Sequence, residues 1–249
     1  MSVFRTYVEA VEERSGVAEP SPVRFARAAR ASAAWRVREY GAKRLLDWTL
    51  ASVGLAISAP LWLVIACAIK LEDRGTILYT QYRWGRDKRP FRVYKFRSMV
   101  PDADRKFGAV QAGQDDPRFT RVGRFLRSTS LDELPQLLNI WRGEMSWVGP
   151  RALPMNERQV NEATDVPDEA IRGFDLRCAV RPGLTGVAQV FAARDVPRHQ
   201  KFRYDAFYTR RQSLWLDVRM IALSVWISLR LRWEDRGSKV SRRRRKRRG

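Results

Sequence analysis

The sequence predicts an α/β fold, mostly helical, in which a re-entrant membrane hairpin of the helix-break-helix type is joined to a compact cytoplasmic domain with short strands and interfacial amphipathic helices. Three observations predict it. The run Trp48–Ile69 is 22 residues long and carries no charge. Downstream, two short apolar and aromatic segments flank a turn at residues 85–90. Beyond residue 133, apolar residues recur at helical spacing.

The apolar run is long enough to cross a bilayer, whose hydrocarbon core needs about 20 apolar residues as a straight helix. Its flanks argue against a crossing, because basic residues cluster on both sides and such clusters normally stay in the cytoplasm. Pro60 lies near the middle of the run, and proline kinks or ends a helix. Each leg beside it would reach roughly 14–18 Å. We therefore predict a hairpin that turns at Pro60; a kinked transmembrane helix and a buried helix of a soluble core are the alternatives.

The chain of 249 residues is strongly basic, with 48 lysines and arginines against 27 aspartates and glutamates. Its net charge of +21 predicts anionic partners, which at a membrane would be anionic lipids. We divide the chain into a basic N-terminal extension (1–42), the membrane hairpin (43–72), a cytoplasmic domain with interfacial helices (73–233) and a basic disordered tail (234–249). The seven consecutive cations Arg242–Arg248 also suit nucleic acid, but no RNA-binding aromatic motif accompanies them, so no nucleic-acid partner is predicted.

The remaining compositional features agree with a cytoplasmic active domain. Cys67 and Cys178 have no metal-ligand spacing, and two isolated cysteines suit a reducing compartment. Residues 1–20 lack an apolar core and contain four glutamates, so they are not predicted to be a signal peptide.

After the hairpin, residues 77–79 and 91–96 are predicted strands and residues 101–117 a polar loop. Helical spacing follows at Leu134, Leu137, Leu138 and Trp141. The later elements are a polar helix at 155–172, a turn at 181–186, a strand at Val187–Phe191, a helix at 198–211 and an interfacial helix at 214–233. The uninterrupted apolar part of the last element is too short to span a membrane, which favours an interfacial position.

The segment Arg127–Leu137 is the richest in polar chemistry. Ser130 and Glu133 have the spacing of an N-terminal capping box, and in that interpretation Asp132 only complements the helix dipole. The same geometry could serve a phosphate or a Mg²⁺ ion, which a helix N-terminus and adjacent carboxylates attract. Spacing alone favours the cap. His199 is the only histidine and is predicted to be an exposed surface residue.

Several cations lie near predicted turns or helix ends. Each alone is expected to be a surface charge, but several together would hold a pyrophosphate, because guanidinium groups match phosphate oxygens bidentately. They are Lys95, Arg97, Arg118, Arg121, Arg124, Arg127, Arg151 and Arg181.

The chain resembles the monotopic phosphoglycosyl transferases, also called bacterial sugar transferases, from about Lys43 to Trp233. Each of the matching motifs is modest evidence, but together and in this order they are specific. The motifs are KRLLD at 43–47, YKFRSM at 94–99, DPRFTRVGR at 116–124, SLDELPQL at 130–137, GEMSWVGPR at 143–151 and VRPGLTG at 180–186.

The resemblance implies transfer of a sugar-1-phosphate from a nucleotide diphosphate sugar, by family habit a UDP-sugar, to undecaprenyl (polyprenyl) phosphate, with release of UMP. Asp132 would be the nucleophile that forms a covalent phosphosugar intermediate and a ligand of Mg²⁺, and Glu133 its companion carboxylate. The cations that would bind phosphates are Lys95, Arg127, Arg151 and Arg181. Pro60 would form the break between the two helices of the hairpin. The enzyme would sit in the bacterial inner membrane, facing the cytoplasm, at the first membrane step of polysaccharide or glycoconjugate synthesis.

Three positions depart from the family pattern: Ala59, where a serine usually precedes the hairpin proline, Ala152, where a proline usually follows Gly-Pro-Arg, and Val187, where a tryptophan is expected. None touches the carboxylate pair. The alternative function is a non-enzymatic basic adaptor that binds membranes or nucleic acid, which would explain the two basic ends but not the motifs between them. The sequence does not identify the sugar, and it leaves a homodimer open.

Overall fold

A computed structural model describes residues 40–101, 103, 116–155, 168–192 and 196–229. The predicted N-terminal extension up to residue 39, most of the predicted polar loop, the predicted polar helix up to residue 167 and the basic tail lie outside these residues.

The first element is one long helix, α1 (Gly41–Asp73), and it is the one helix in the described part of the chain that is long and apolar enough to cross a membrane. It continues through Pro60, so the predicted division into two helices is not confirmed. At its C-terminus Arg74 adopts a left-handed conformation and its N–H caps the carbonyl of Lys70.

The predicted strand pair is confirmed. Strands β1 (Leu78–Trp84) and β2 (Pro90–Phe96) are antiparallel, and Tyr79 lies opposite Lys95. The predicted turn between them contains a 3₁₀ turn, Arg86–Lys88.

The next elements bring two distant parts of the chain together. Helix α2 (Arg121–Thr129) and a 3₁₀ turn (Leu131–Glu133) lead into helix α3 (Gln136–Arg142), which confirms the predicted helical spacing. Strand β3 (Ser146–Val148) then pairs in parallel with strand β4 (Gly183–Thr185).

The C-terminal part of the domain is helical. A 3₁₀ turn (Asp168–Ala170) and helix α4 (Phe174–Arg177) precede β4. Helix α5 (Val187–Phe191), helix α6 (Arg198–Arg211) and helix α7 (Leu214–Leu229) follow it. The predicted helix at 198–211 is confirmed, and the predicted helix at 214–233 is observed over residues 214–229.

The predicted strand at Val187–Phe191 is wrong, because these residues form α5 and the strand lies earlier, in the predicted turn. Glycine permits this arrangement: a Cβ at Gly183 would lie 2.1 Å from the backbone nitrogen of Gly149, so only two glycines let the backbones approach this closely. After Gly186 the chain turns into the helix, and the N–H of Val190 donates to the carbonyl of Gly186.

The apolar core joins α1 to the rest of the domain at two places. The first half of α1 packs on β2 and α3 in a cluster of buried side chains: Ala51, Phe91, Val93, Leu137, Ile140, Met145 and Ala152. The second half packs in a cluster formed by Ile65, Ile69, Phe96 and Leu126. Burial of this apolar area is the main force that fixes α1 against β2, α2 and α3. A third cluster, Phe174, Cys178 and Phe202, joins α4 to α6.

Large apolar side chains remain exposed on α1 and α7. Ile57, Leu63 and Val64 are at least 64% exposed in the middle of α1, and Trp215 is 75% exposed on α7. Clusters of large exposed apolar side chains mark an interaction site in a folded protein.

Candidate active site

Two anchors at the end of α1 position the segments that carry the predicted site. The Glu72 carboxylate accepts the N–H groups of Arg121 (2.6 Å) and Val122 (3.1 Å), so it caps the N-terminus of α2. Asp73 receives two hydrogen bonds from the buried Arg97 guanidinium, which follows β2. Arg97 is therefore a structural anchor and not one of the phosphate-binding cations considered above.

Asp132 and Glu133 lie on the 3₁₀ turn between α2 and α3. The predicted capping box is wrong: Ser130 has a left-handed backbone (φ 60°), and its side chain makes no capping hydrogen bond. The left-handed residue reverses the chain after α2, so the two carboxylates come to lie over β2. Asp132 is buried and Glu133 is partly buried.

Lys95 reaches both carboxylates from β2. Its Nζ lies 2.7 Å from Glu133 Oε1 and 3.8 Å from Asp132 Oδ2. Lys95 follows Phe91 and Val93 at alternate positions of the strand, so it shares their inward face. The structure thus brings Lys95 together with both carboxylates, while its role in binding phosphate stays a prediction.

Arg151 and Arg127 complete the positive surroundings. Arg151 Nη2 lies 3.1 Å from Glu133 Oε1, so that one oxygen contacts two cations. Arg127, in the last turn of α2, stacks on Phe119 with its guanidinium carbon 4.6 Å from the ring centre, and its charge acts on Asp132.

Arg181 has a different environment from the other predicted phosphate ligands. Its Nε donates to the carbonyl of Gly143 (2.8 Å), in the turn that follows α3. A role of Arg181 in binding phosphate stays a prediction.

The surroundings shift the pKa values of the two carboxylates in opposite directions. Burial alone would raise the pKa of Glu133, but the charges of Lys95 and Arg151 outweigh it and hold the pKa well below its usual range. Burial raises the pKa of Asp132; Lys95 partly offsets this effect and the charge of Glu133 adds to it. The charge of Glu133 is therefore held between two cations, whereas burial disfavours the charge of Asp132.

One residue of this site was missed in the sequence. The charge of Arg83, on β1, also lowers the pKa of Glu133, and its Nη1 donates to the carbonyl of Ala152 (2.6 Å). The signal that could have identified Arg83 is its position opposite Phe91, which places Arg83 on the inward face of the strand pair.

The carboxylates suit a magnesium ion that is shared with a substrate. Among the residues that the structure describes, no group of three or more histidine, cysteine or acidic side chains could hold a metal by itself. Mg²⁺ is commonly bound through one or two carboxylates together with substrate phosphates. Asp132 beside Glu133 fits that donor set.

Comparison with known proteins identifies the family. The family model of the bacterial sugar transferases matches residues 38–230. Over 190 residues the chain is 41% identical to a UDP-glucose:undecaprenyl-phosphate glucose-1-phosphate transferase of Klebsiella pneumoniae. The aligned region covers 74% of this chain and 39% of that protein. The chain belongs to the bacterial sugar transferase family, which confirms the resemblance seen in its motifs.

Two further relatives differ in name and length. A UDP-N-acetylgalactosamine-undecaprenyl-phosphate N-acetylgalactosaminephosphotransferase of Aeromonas hydrophila is 38% identical over 182 residues, covering 72% of this chain and 41% of that protein. The exopolysaccharide production protein PSS of Rhizobium leguminosarum bv. phaseoli is 39% identical over 184 residues, covering 72% and 90%. The chain thus spans about two-fifths of the length of the Klebsiella and Aeromonas proteins.

Proposed function

We propose that this protein transfers a sugar-1-phosphate from a UDP-sugar to undecaprenyl phosphate and releases UMP, as a membrane step in the synthesis of an exported polysaccharide. The observation that carries the proposal is the buried Asp132 beside Glu133, Lys95 and Arg151, in a chain of the bacterial sugar transferase family. The relatives named above act on glucose and on N-acetylgalactosamine, so the sugar stays open.

The reaction proceeds in two displacements. An Asp132 oxygen attacks the sugar-bearing phosphorus, the bond from that phosphorus to the bridging oxygen breaks, and UMP leaves with the electron pair. An oxygen of undecaprenyl phosphate then attacks the same phosphorus and displaces the Asp132 carboxylate, which yields the sugar diphosphate lipid. The Lys95 and Arg151 cations, held by Glu133, bind the charged phosphate oxygens.

Magnesium is part of the proposal. Asp132 would hold a Mg²⁺ ion together with the substrate pyrophosphate, and the ion would offset charge on the phosphate oxygens. A bound cation would also keep Asp132 ionised although burial raises its pKa.

We further propose that α1 bends sharply at Pro60, so that it enters the cytoplasmic face of the bacterial inner membrane and returns to the same face. Both halves of α1 contact one domain, and the nearest such contacts, at Leu55 and Trp62, are seven residues apart. Seven residues of helix span about 10 Å, far less than the hydrocarbon thickness of about 30 Å. The exposed apolar side chains at the middle of α1 and on α7 would face lipid, and the flanking cations would bind anionic head groups.

The topology predicts the accessibility of single cysteines placed in a chain whose native cysteines are replaced (Cys67→Ser, Cys178→Ala). Ala42→Cys and Thr76→Cys, at the two ends of α1, should react with a membrane-impermeant thiol reagent from the cytoplasmic side only. Ile57→Cys should react only after detergent is added. Reaction of Ala42→Cys and Thr76→Cys from opposite sides of sealed vesicles would contradict the hairpin.

The activity is tested with purified protein in detergent, a panel of UDP-sugars and undecaprenyl phosphate. We expect UMP release with one sugar of the panel, dependent on the lipid phosphate for repeated turnover and abolished by EDTA until Mg²⁺ is restored. Deletion of residues 239–249 serves as the control, because a transferase keeps its chemistry without the basic tail whereas an adaptor loses its function. An absence of UMP release with every sugar would refute the proposal.

A further inference from the structure

The segment from Arg151 to Met155 is docked along β1 by its backbone. The N–H of Trp84 donates to the carbonyl of Leu153 (3.0 Å), and the N–H of Met155 donates to the carbonyl of Tyr82 (3.4 Å). The segment therefore acts as a short extra strand. Its first residue is Arg151, whose side chain contacts Glu133.

Two arginines hold the first two carbonyls of that segment. Arg177 Nη2 donates to the carbonyl of Arg151 (2.6 Å), and Arg83 Nη1 donates to the carbonyl of Ala152 (2.6 Å). A proline at position 152 would restrict the backbone of the preceding residue, and alanine does not. The backbone of Arg151 is thus fixed by contacts from outside the segment.

Arg177 is itself held firmly. It is 4% exposed, its Nε lies 3.1 Å from Oδ2 of the equally buried Asp205, and its guanidinium carbon lies 4.6 Å above the ring of Phe202. A planar guanidinium can bind Asp205 with one nitrogen and the Arg151 carbonyl with another, which a lysine ammonium cannot reproduce in the same geometry.

We propose that Arg177 is a positioning residue for the transfer reaction. By holding the Arg151 carbonyl, it sets the Arg151 guanidinium on Glu133 and on the donor phosphate, although Arg177 itself lies on α4, outside the carboxylate site. The link matters because the Arg151 side chain is 48% exposed, and a long exposed side chain is ordered only if its backbone is fixed. The inference rests on the proposed transferase function.

The first test is Arg177→Lys in the full-length protein, which keeps a positive charge beside Asp205. We expect kcat/KM for UMP release to fall by about 10- to 100-fold, the usual effect of misplacing a group that orients the substrate. The loss should persist at temperatures well below the unfolding transition of the variant, where a substitution that affects only stability would leave kcat/KM unchanged.

The second test is a double-mutant cycle with Arg151→Ala, measured with radiolabelled UDP-sugar over long incubations. If Arg177 acts through Arg151, then Arg177→Lys should change kcat/KM by less than about twofold in the Arg151→Ala background. Arg198→Lys is the matched control: it alters another ion pair of largely buried groups, with Asp168, and should retain wild-type kcat/KM. Equal effects of Arg177→Lys in both backgrounds would overturn the inference, whereas an inactive wild type would refute the transferase function itself.

Discussion

Replacing Asp132 with asparagine is expected to abolish UMP release, with a loss of about 10⁴-fold or more, while the protein still folds and binds the membrane. Asparagine has the same shape as aspartate but no anionic oxygen that could attack phosphorus. Because burial raises the pKa of Asp132, the folded protein disfavours that negative charge and does not need it for stability. We therefore expect the variant to match the wild type in thermal unfolding.

The matched control is Glu133→Gln, which alters the neighbouring carboxylate instead. It removes the charge that holds Lys95 and Arg151, so we expect a smaller loss of kcat than for Asp132→Asn and no loss of the covalent intermediate. Incubation with UDP-sugar labelled in the sugar phosphate and rapid denaturation measures that intermediate. Retention of the label by Asp132→Asn, or full activity of that variant, would contradict the assignment of the nucleophile.

The pH dependence gives an independent check on the same carboxylate. A protonated carboxyl group is a poor nucleophile, so kcat/KM of the wild type should fall as the pH drops through the pKa of Asp132. In the free enzyme, to which kcat/KM refers, burial raises that pKa, so kcat/KM should fall at a higher pH than an ordinary aspartate would give. The pKa of Glu133 is held low, so Glu133 remains charged over this range.

Local patterns predicted the elements that are stabilised locally. The strand pair, a helix from the spacing of Leu134 to Trp141 and the helix at 198–211 follow from alternation, turn residues and helical spacing, and all are observed. The strand predicted at Val187–Phe191 was wrong because its apolar residues suit either a strand or a helix. The segment that pairs with β3 is instead β4, at residues 183–185. That pairing joins residues nearly 40 positions apart and leaves no local signal.

The site was predictable in composition but not in geometry. Lys95 could have been assigned inward from the sequence, because it continues the buried alternation of Phe91 and Val93, and a lysine on a buried face needs an anionic partner. Its partner Glu133 could not be identified, because the chain is redirected by a left-handed backbone at Ser130, where glycine or asparagine would be usual. The family resemblance identified Asp132, Glu133 and Lys95, and the reversal of the chain at Ser130 explains how their side chains come together.

Replacing Asp217 with alanine is expected to destabilise the fold by about 3–5 kcal/mol, the effect of leaving one member of a buried ion pair without its partner. Lys43 of α1 and Asp217 of α7 are each 1% exposed, and their charged groups lie 2.5 Å apart. Lys43 Nζ also donates to the Tyr208 hydroxyl and to the carbonyl of Val148, both at 3.1 Å. One lysine thus joins α1, β3, α6 and α7.

These contacts of Lys43 should hold the N-terminal end of α1 against the rest of the domain. In the Asp217→Ala variant, the buried Lys43 ammonium loses its ion-pair partner, and the Tyr208 hydroxyl loses an acceptor at 2.8 Å. Burial is the largest cause of the raised pKa of Tyr208 and remains in the variant, so the hydroxyl stays neutral and does not replace the lost charge. The double variant Lys43→Met, Asp217→Leu should recover part of the loss, since apolar side chains need no partner.

Urea unfolding in detergent, followed by tryptophan fluorescence, measures these effects. Asp175→Ala is the control, because the Lys88–Asp175 pair is half exposed on both sides and such pairs contribute about 0–1 kcal/mol. The comparison separates a buried ion pair from a surface one in the same chain. If Asp217→Ala unfolds within about 1 kcal/mol of the wild type, the buried Lys43 does not depend on Asp217 for its stability, and the other contacts of α1 suffice to hold it on the domain.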